Sequence, residues 1–537
     1  MNYDSVQETQ VLVIGQGLTG LRAAAQAAKE GAKVTVLGNG PSASPEIMGF
    51  NAVRTDADSV DLYYNDVIAS GRGINEPDLA KLLVIGSIDA ANDLESRGLS
   101  FDRKEDGSLK SAQPLGCSVP RLVQIKGHTG SYAMAAYRKE CADYGAVIEN
   151  GVRIFALLTE NNTVCGAVGI RQSDHSIVCW KAHAVIIATG GCGAIHPIST
   201  YPKGICGDGY AMAFRAGCRL RDMEFMQFEP CCFIRPKGLE GGLAVTTMLL
   251  EGGRLLNSKK EEFITGGYKM QKSELALKIS EEIRNGHPTK HGGVYYDITA
   301  LPEKRITVDH EMFYRPALKC GIDLTKDYAE VAPAAHTCIG GIVIDSSCRT
   351  EIRGLYAAGE AAGGVHGANR IGGCSGSETQ AFGKIAGREA ACYALSFKDT
   401  PIPDIDFETC CEENGINIGT VSPAKELLEE TISHLKEHIR KSLGICKNRD
   451  DLKELIGYVE EIRNDVRSYR VTSAEELETL IDLDNISMIA DVQARASFLR
   501  EESRGVFFRR DYPNESDRWA CSIFAENNNG LTQLIRG

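Results

Sequence analysis

Residues 10–30, QVLVIGQGLTGLRAAAQAAKE, restrict this chain more than any other stretch. An apolar run from Val11 to Ile14 reads as a buried parallel strand, Gly15, Gly17 and Gly20 complete a G-x-G-x-x-G, and an alanine-rich helix follows. The first glycine permits a tight turn, the second lets the backbone approach a pyrophosphate, and the third allows close helix–strand packing. The free amides at the start of the helix then face the phosphates. A second strand at residues 33–37 follows at βαβ spacing, which predicts a Rossmann-type α/β domain with a dinucleotide site. The acidic residue expected after that strand is replaced by Gly38 and Asn39, so an amide or backbone group should hold the ribose, or the nucleotide should sit differently. A strand from Ala184 to Ala188 runs into Thr189, Gly190 and Gly191, as expected where the chain returns past the same ligand.

With 537 residues the chain exceeds what one hydrophobic core usually accommodates, so two or three domains are expected. A net charge of −13 without a basic stripe excludes nucleic acid as a partner. No apolar run approaches the roughly 20 residues that span a bilayer. The polar start MNYDSVQETQ lacks the form of a secretory signal, so a cytoplasmic protein is expected, peripheral to a membrane only through a partner. Eighteen cysteines without any C-x-x-C argue against a zinc ribbon or an iron–sulfur cluster within the chain, and no metal site is expected. Free thiols in a cell with little oxygen exposure fit them best.

Helical periodicity marks residues 75–98 and 127–145, and alternation around 147–154 and 164–170 suggests a small β-meander. The proline- and acid-rich PIPDIDFE at 401–408 reads as a linker, and long helical patterns cover 424–468 and 474–500. Between them, residues 334–378 gather His336, Glu360, His366 and Arg370 among glycines, too polar a stretch for core packing. Arginine offers a planar fork for a carboxylate, and a neighbouring histidine can donate to the same group.

VIGQGLTGL, HAVIIATGG, GDGYAMAFRAGCRLRDMEFMQFEP, EGGRLLN, HTCIGGI, GLYAAGEAAGGVHGANRIGG and ESRGVFFRRDYP occur in this order over nearly the whole chain. In them the chain resembles the flavoprotein subunit of the fumarate reductase/succinate dehydrogenase superfamily, which includes L-aspartate oxidase and adenylylsulfate reductase. The resemblance implies a Rossmann-type FAD-binding domain (1–234 and 331–400), an inserted α+β capping domain (235–330) and a C-terminal helical bundle (401–537). It implies one FAD held by Gly15, Gly17, Gly20, Gly190, Gly191, Asp208, Glu360 and Ser375, with His336 and Arg370 holding a substrate carboxylate. Asp208 lies between glycines, where turn chemistry also explains it. An iron–sulfur electron-transfer subunit is the partner implied.

Three departures bear on the chemistry. The stretch where many members attach FAD covalently, GNGPSASPEIMGFNAV, has no histidine, so a noncovalent flavin is expected. The family's Q-F-H-P is here Gln227-Phe228-Glu229-Pro230, and Glu229 repels a second carboxylate unless it is protonated or paired with a cation. The arginine of R-G-E-G-G, to which proton transfer is assigned, aligns with Leu249, leaving Glu229, Arg235 or Arg254 to replace it. The expectation is a flavin-dependent oxidoreductase that exchanges hydride with a C–C bond beside the carboxylate of a small anion other than fumarate. A self-contained oxidase or reductase and an inactive flavin-binding scaffold are the alternatives.

Overall fold

The computed structural model describes residues 6–403, 423–469 and 473–537. Strand Gln7–Ile14 lies within a mixed sheet, pairing in parallel with Val34–Gly38 on one side and with Ile177–Ile187 on the other. The strand order thus reverses at its carboxyl end, the crevice where open α/β sheets take their ligands. The glycine-loop helix Leu18–Lys29 covers one face with eleven of its twelve residues buried, so small alanines are what the sheet contact admits.

Residues 147–154 depart from the expected meander. Val147–Asn150 extends the parallel sheet beside Val34–Gly38, and only Val152–Glu160 pairs antiparallel with Thr163–Arg171. Gly151, with φ of +71°, makes the break that redirects the chain, which alternation alone does not reveal. Leu355–Ala357 completes the parallel part beside Ile177–Ile187, and the 23-residue helix Cys374–Ser396 packs back over the glycine-loop helix.

A four-stranded sheet runs Met226–Arg235, Ala329–Cys338, Val294–Asp297, Arg254–Leu256. Its far side, with helix Lys272–Arg284, encloses a separate apolar core that includes Leu249, Leu255, Ile279, Tyr296 and Val331. The insertion therefore packs as its own body, joined to the FAD domain by the first two strands.

The helical pattern at 424–468 resolves into Lys425–Ser442 and Arg449–Ser468, split where Asn448 caps the second helix through the amides of Asp450 and Asp451. Ser473 opens Ala474–Leu499 with a capping box. The chain then leaves the helical layer: Ile523–Asn528 and Leu531–Arg536 form a hairpin added to Leu220–Arg221. Most of the expected linker at 401–408, residues 404–408, lies outside the described residues, as do Cys410 and Cys411.

Candidate functional site

The glycine loop is built for close approach. A Cβ on Gly20 would lie 1.9 Å from the Gly15 carbonyl oxygen, and one on Gly15 would lie 2.1 Å from that of Ala188. The first bond of the helix is Leu21 N–H to Gly17 O, and the Leu18 amide donates to Ser44 Oγ at 2.9 Å. The Thr19 and Gly20 amides precede that bond and have no acceptor within the helix, as an anion-binding helix start requires. Nearby, the buried hydroxyls of Ser42 and Thr189 have no partner. Gly190 and Gly191 follow the returning strand, and a Cβ on Gly191 would sit 2.4 Å from Glu360 Oε1. These residues fit an extended dinucleotide such as FAD along the sheet edge.

Glu360 follows strand Leu355–Ala357 directly. Its Oε1 accepts from the Tyr201 hydroxyl and from the Cys338 amide at 2.9 Å. Burial raises its carboxyl to about 7, outweighing those two donors, so near neutral pH it can donate to, or accept from, a ligand hydroxyl. Ser375 is the second residue of helix Cys374–Ser396 and is half-buried. The Asp208 carboxylate accepts Arg153 Nε and one Arg153 Nη at 3.0 Å each and Asn485 Nδ2 at 2.8 Å. As the first residue of helix Asp208–Arg215 it ties that helix to the C-terminal layer, and the neighbouring Gly209 is what packs against Thr189.

On the cap side, four charged or polar residues converge. Strands Met226–Arg235 and Ala329–Cys338 pair Gln227 with Thr337 but Phe228 with Ala335, leaving His336 as the extra residue of a bulge. A bulge re-aims the side chain it carries, and bulges favour functional sites. His336 Nδ1 sits 2.9 Å from Thr200 Oγ1. Burial first, then Arg370 and Lys272, lower the imidazole to about 4 against the pull of Glu229, so it is neutral at physiological pH.

Glu229, 5% exposed, accepts Lys272 Nζ on both carboxylate oxygens at 2.8 Å. Burial would raise this carboxyl, but Lys272, His336 and Arg370 together hold it below its ordinary range. Lys272 is the first residue of helix Lys272–Arg284, and half its side chain remains in water. Sequence reasoning missed this lysine. The signal was its place: a cation at a helix start opposes the helix dipole, so another interaction must hold it there.

Arg370 lies in the glycine-rich loop after Glu360. Asn75 Nδ2 donates to Val365 O, Ser70 Oγ to Asn369 O, and the Val506 amide to Ala368 O, each at about 3 Å, so two separate segments brace the loop. The ESRGVFFRRDYP motif thereby proves to be support. Its Glu502 accepts from Arg500 and Arg504, and Arg500 also reaches Glu224 at 2.7 Å, two residues before the Glu229 strand. Arg370 donates to Gln227 Oε1 at 2.7 Å and to Ile371 O at 3.3 Å. It is only 9% exposed, its Nε has no partner, and no carboxylate among the described residues forms an ion pair with it. A buried guanidinium left in this state suits an anion.

His366 is buried against Glu378 at 3.0 Å, behind the loop. Two substitutes considered for the proton donor are not brought to Glu229. Arg254 is ion-paired with Asp297 at 2.6 Å on a strand three places across the cap sheet, about 14 Å away at ordinary strand spacing. Arg235 lies six residues along the same strand, about 20 Å away at the usual rise. Leu249 packs in the cap core, so the leucine there does not line the Glu229 face. Lys272 is the cation that reaches it.

The neutral His336 gives a pH prediction. An unfolded histidine binds its proton near 6.5, the folded one only near 4, so the unfolded chain is protonated first and stability falls as pH drops through that window. His336→Gln should flatten this acid limb, read as Tm at pH 7, 6, 5 and 4.5. A limb as steep as in the parent would contradict a buried neutral imidazole. His196, lowered to about 3 by burial and nearby lysines, should preserve part of the slope.

Residues 10–375 match the family model described as FAD binding domain, and residues 432–534 match that described as fumarate reductase flavoprotein C-term. The chain is 33% identical over 536 residues to one of the subunits of the fumarate reductase (CoM/CoB) of Methanothermobacter marburgensis, covering 96% of each. It is 26% identical to L-aspartate oxidase of Yersinia pestis, covering 96% of this chain and 98% of that one. The fold matches the apo form of the Mycobacterium smegmatis Sdh1 complex with a TM-score of 0.88 at 27% identity, covering 99% of this chain and 94% of that one.

Proposed function

The chain belongs to the fumarate reductase/succinate dehydrogenase flavoprotein family, and from that premise we propose that this FAD-dependent oxidoreductase acts on a C–C bond beside the single carboxylate of a small organic anion. The observation that supports the reading is Arg370, buried, unpaired with any described carboxylate and with an open Nε. FAD, when bound, supplies the hydride chemistry. No histidine occurs in residues 38–53, which supports a noncovalent flavin.

The carboxylate is held by Arg370 and by His336. In the tautomer whose Nδ1 accepts from the Thr200 hydroxyl, the imidazole proton sits on Nε2 and is available to the same carboxylate. Both donors strengthen as charge builds on that oxygen in the transition state. Glu229 and Lys272 carry the proton. In the reducing direction the carbon beside the carboxylate receives it from this pair, and water restores it at the exposed Lys272 ammonium. Glu229 takes the Lys272 ammonium on both of its oxygens, so that cation is not free for a second carboxylate, which argues for a substrate with one carboxylate and a neutral far end.

The test is anaerobic reoxidation of the dithionite-reduced flavoprotein by a panel of α,β-unsaturated acids. Monocarboxylates should reoxidise it rapidly and fumarate slowly. Fast reoxidation by fumarate would overturn the substrate choice, because Lys272 would then be leaving Glu229 to receive the second carboxylate. Among the described residues no helix is long and apolar enough to cross a membrane, and no His/Cys/Asp/Glu group could hold a metal. Because the relative from Methanothermobacter marburgensis is itself one subunit of a fumarate reductase, we place the electron-transfer centre on an iron–sulfur partner, recoverable by co-purification from the native host. Rapid turnover of the isolated chain with oxygen alone would replace that partner with a self-contained oxidase.

A further inference from the structure

Behind the strand pair that carries Glu229 and His336 lies a cleft of about 580 Å³, walled by the FAD domain, the cap and the C-terminal helices. It is separate from the substrate site. Neighbouring residues of a strand point to opposite faces, so Phe228, which lines the cleft, faces away from Glu229. The volume is that of an ordinary small-molecule site. Phe228, Ile283 and Ile445 give it apolar surface.

Its polar groups are unevenly satisfied. Arg440 and Lys441 on the rim are paired with Glu437 and Glu454. Arg284 from the cap and Arg510 from the C-terminal segment have no carboxylate partner among the described residues. At the floor, His196 packs edge-on against Phe228, is 5% exposed, and its Nε2 has no partner. Arg284 donates to Cys446 O at 3.1 Å but, like the exposed Arg510, lacks a described carboxylate, and two such guanidiniums from different domains beside a buried imidazole with an open Nε2 define a place for an anion.

Arg284 is also the last residue of the helix whose first residue is Lys272. At 1.5 Å per residue its ends are about 18 Å apart, and a helix this short moves as a rod. An anion joining Arg284 to Arg510 adds to the bond Arg284 already makes to Cys446 O and so restrains the helix that carries Lys272.

We propose that this cleft is a second ligand site, taking an organic anion with a short apolar body, and that the bound anion bridges Arg284 and Arg510 and holds helix Lys272–Arg284 in place. Octanoate serves as the probe, titrated calorimetrically into the FAD-loaded protein, with hydrogen–deuterium exchange followed over residues 272–284. The expected result is one saturable site, at least tenfold weaker in Arg510→Gln and lost in Ser280→Phe, which fills the cleft. Exchange over 272–284 should slow at least twofold on binding. Arg510 is exposed and its replacement leaves the packing intact, so folding does not confound that arm. The proposal is overturned if octanoate does not saturate, if Ser280→Phe still binds it, if Arg370→Lys abolishes its binding, or if exchange over 272–284 is unchanged. Neither readout requires turnover, so the result is independent of the substrate proposed above.

Discussion

Arg370→Lys is expected to lower kcat/KM for the reacting acid by roughly a hundredfold to a thousandfold, equivalent to about 3 to 4 kcal/mol of transition-state binding. Lysine keeps the charge but not the planar fork. It cannot hold Gln227 Oε1 and Ile371 O while presenting a third donor, as Arg370 does with its open Nε. Thermal stability separates this role from a structural one. A guanidinium that is buried without a carboxylate contributes no ion pair to the folded state, so replacing it should leave Tm within a few degrees of the parent. A large fall in Tm with kcat/KM preserved would mean that Arg370 serves the fold and not the substrate. Anion binding, followed as a perturbation of the oxidised flavin spectrum, should weaken in parallel with kcat/KM.

The FAD half of the site was legible in the sequence because it is local. Strand, glycine loop and helix are contiguous between Gln7 and Lys29, and the need for Gly15 and Gly20 follows from atoms a few residues away or on the adjoining strand. The substrate half depends on tertiary placement. His336 is aimed by a bulge whose existence depends on pairing with a strand a hundred residues earlier. Lys272 reaches Glu229 only because the cap helix crosses that strand pair. The pairings of Asp208 and Arg254 were hidden for the same reason, since their partners Arg153, Asn485 and Asp297 lie 40 or more residues away. Glu229 read from sequence alone is a repulsive charge, and in the structure it is half of a pair.

That pair makes Lys272→Met the more revealing substitution. Removing the ammonium leaves Glu229 buried with only His336 and Arg370 to offset desolvation, so its carboxyl should rise from below its ordinary range to above it. The sign of the stability change with pH then reverses. In the parent the depressed carboxyl contributes stability above pH 4.5, lost as pH falls through the folded value. In the variant a raised carboxyl contributes below pH 4.5, and that contribution is lost as pH rises through the folded value. The Tm gap between parent and variant should therefore widen from pH 4 to pH 8. Lys272 is half exposed, so solvent screening limits the neutral-pH loss to about 1 to 2 kcal/mol, below that for a fully buried pair. Catalysis should suffer more. Without the relay, turnover should fall by about 10² to 10⁴, the usual worth of a positioned proton donor, while binding of the substrate carboxylate at Arg370 changes little. A fall in kcat with KM nearly constant, and a solvent isotope effect larger than in the parent, would mark Lys272 as part of the proton path. A variant that keeps its turnover and shows a Tm gap independent of pH would reduce the Lys272–Glu229 pair to a tether between cap and strand.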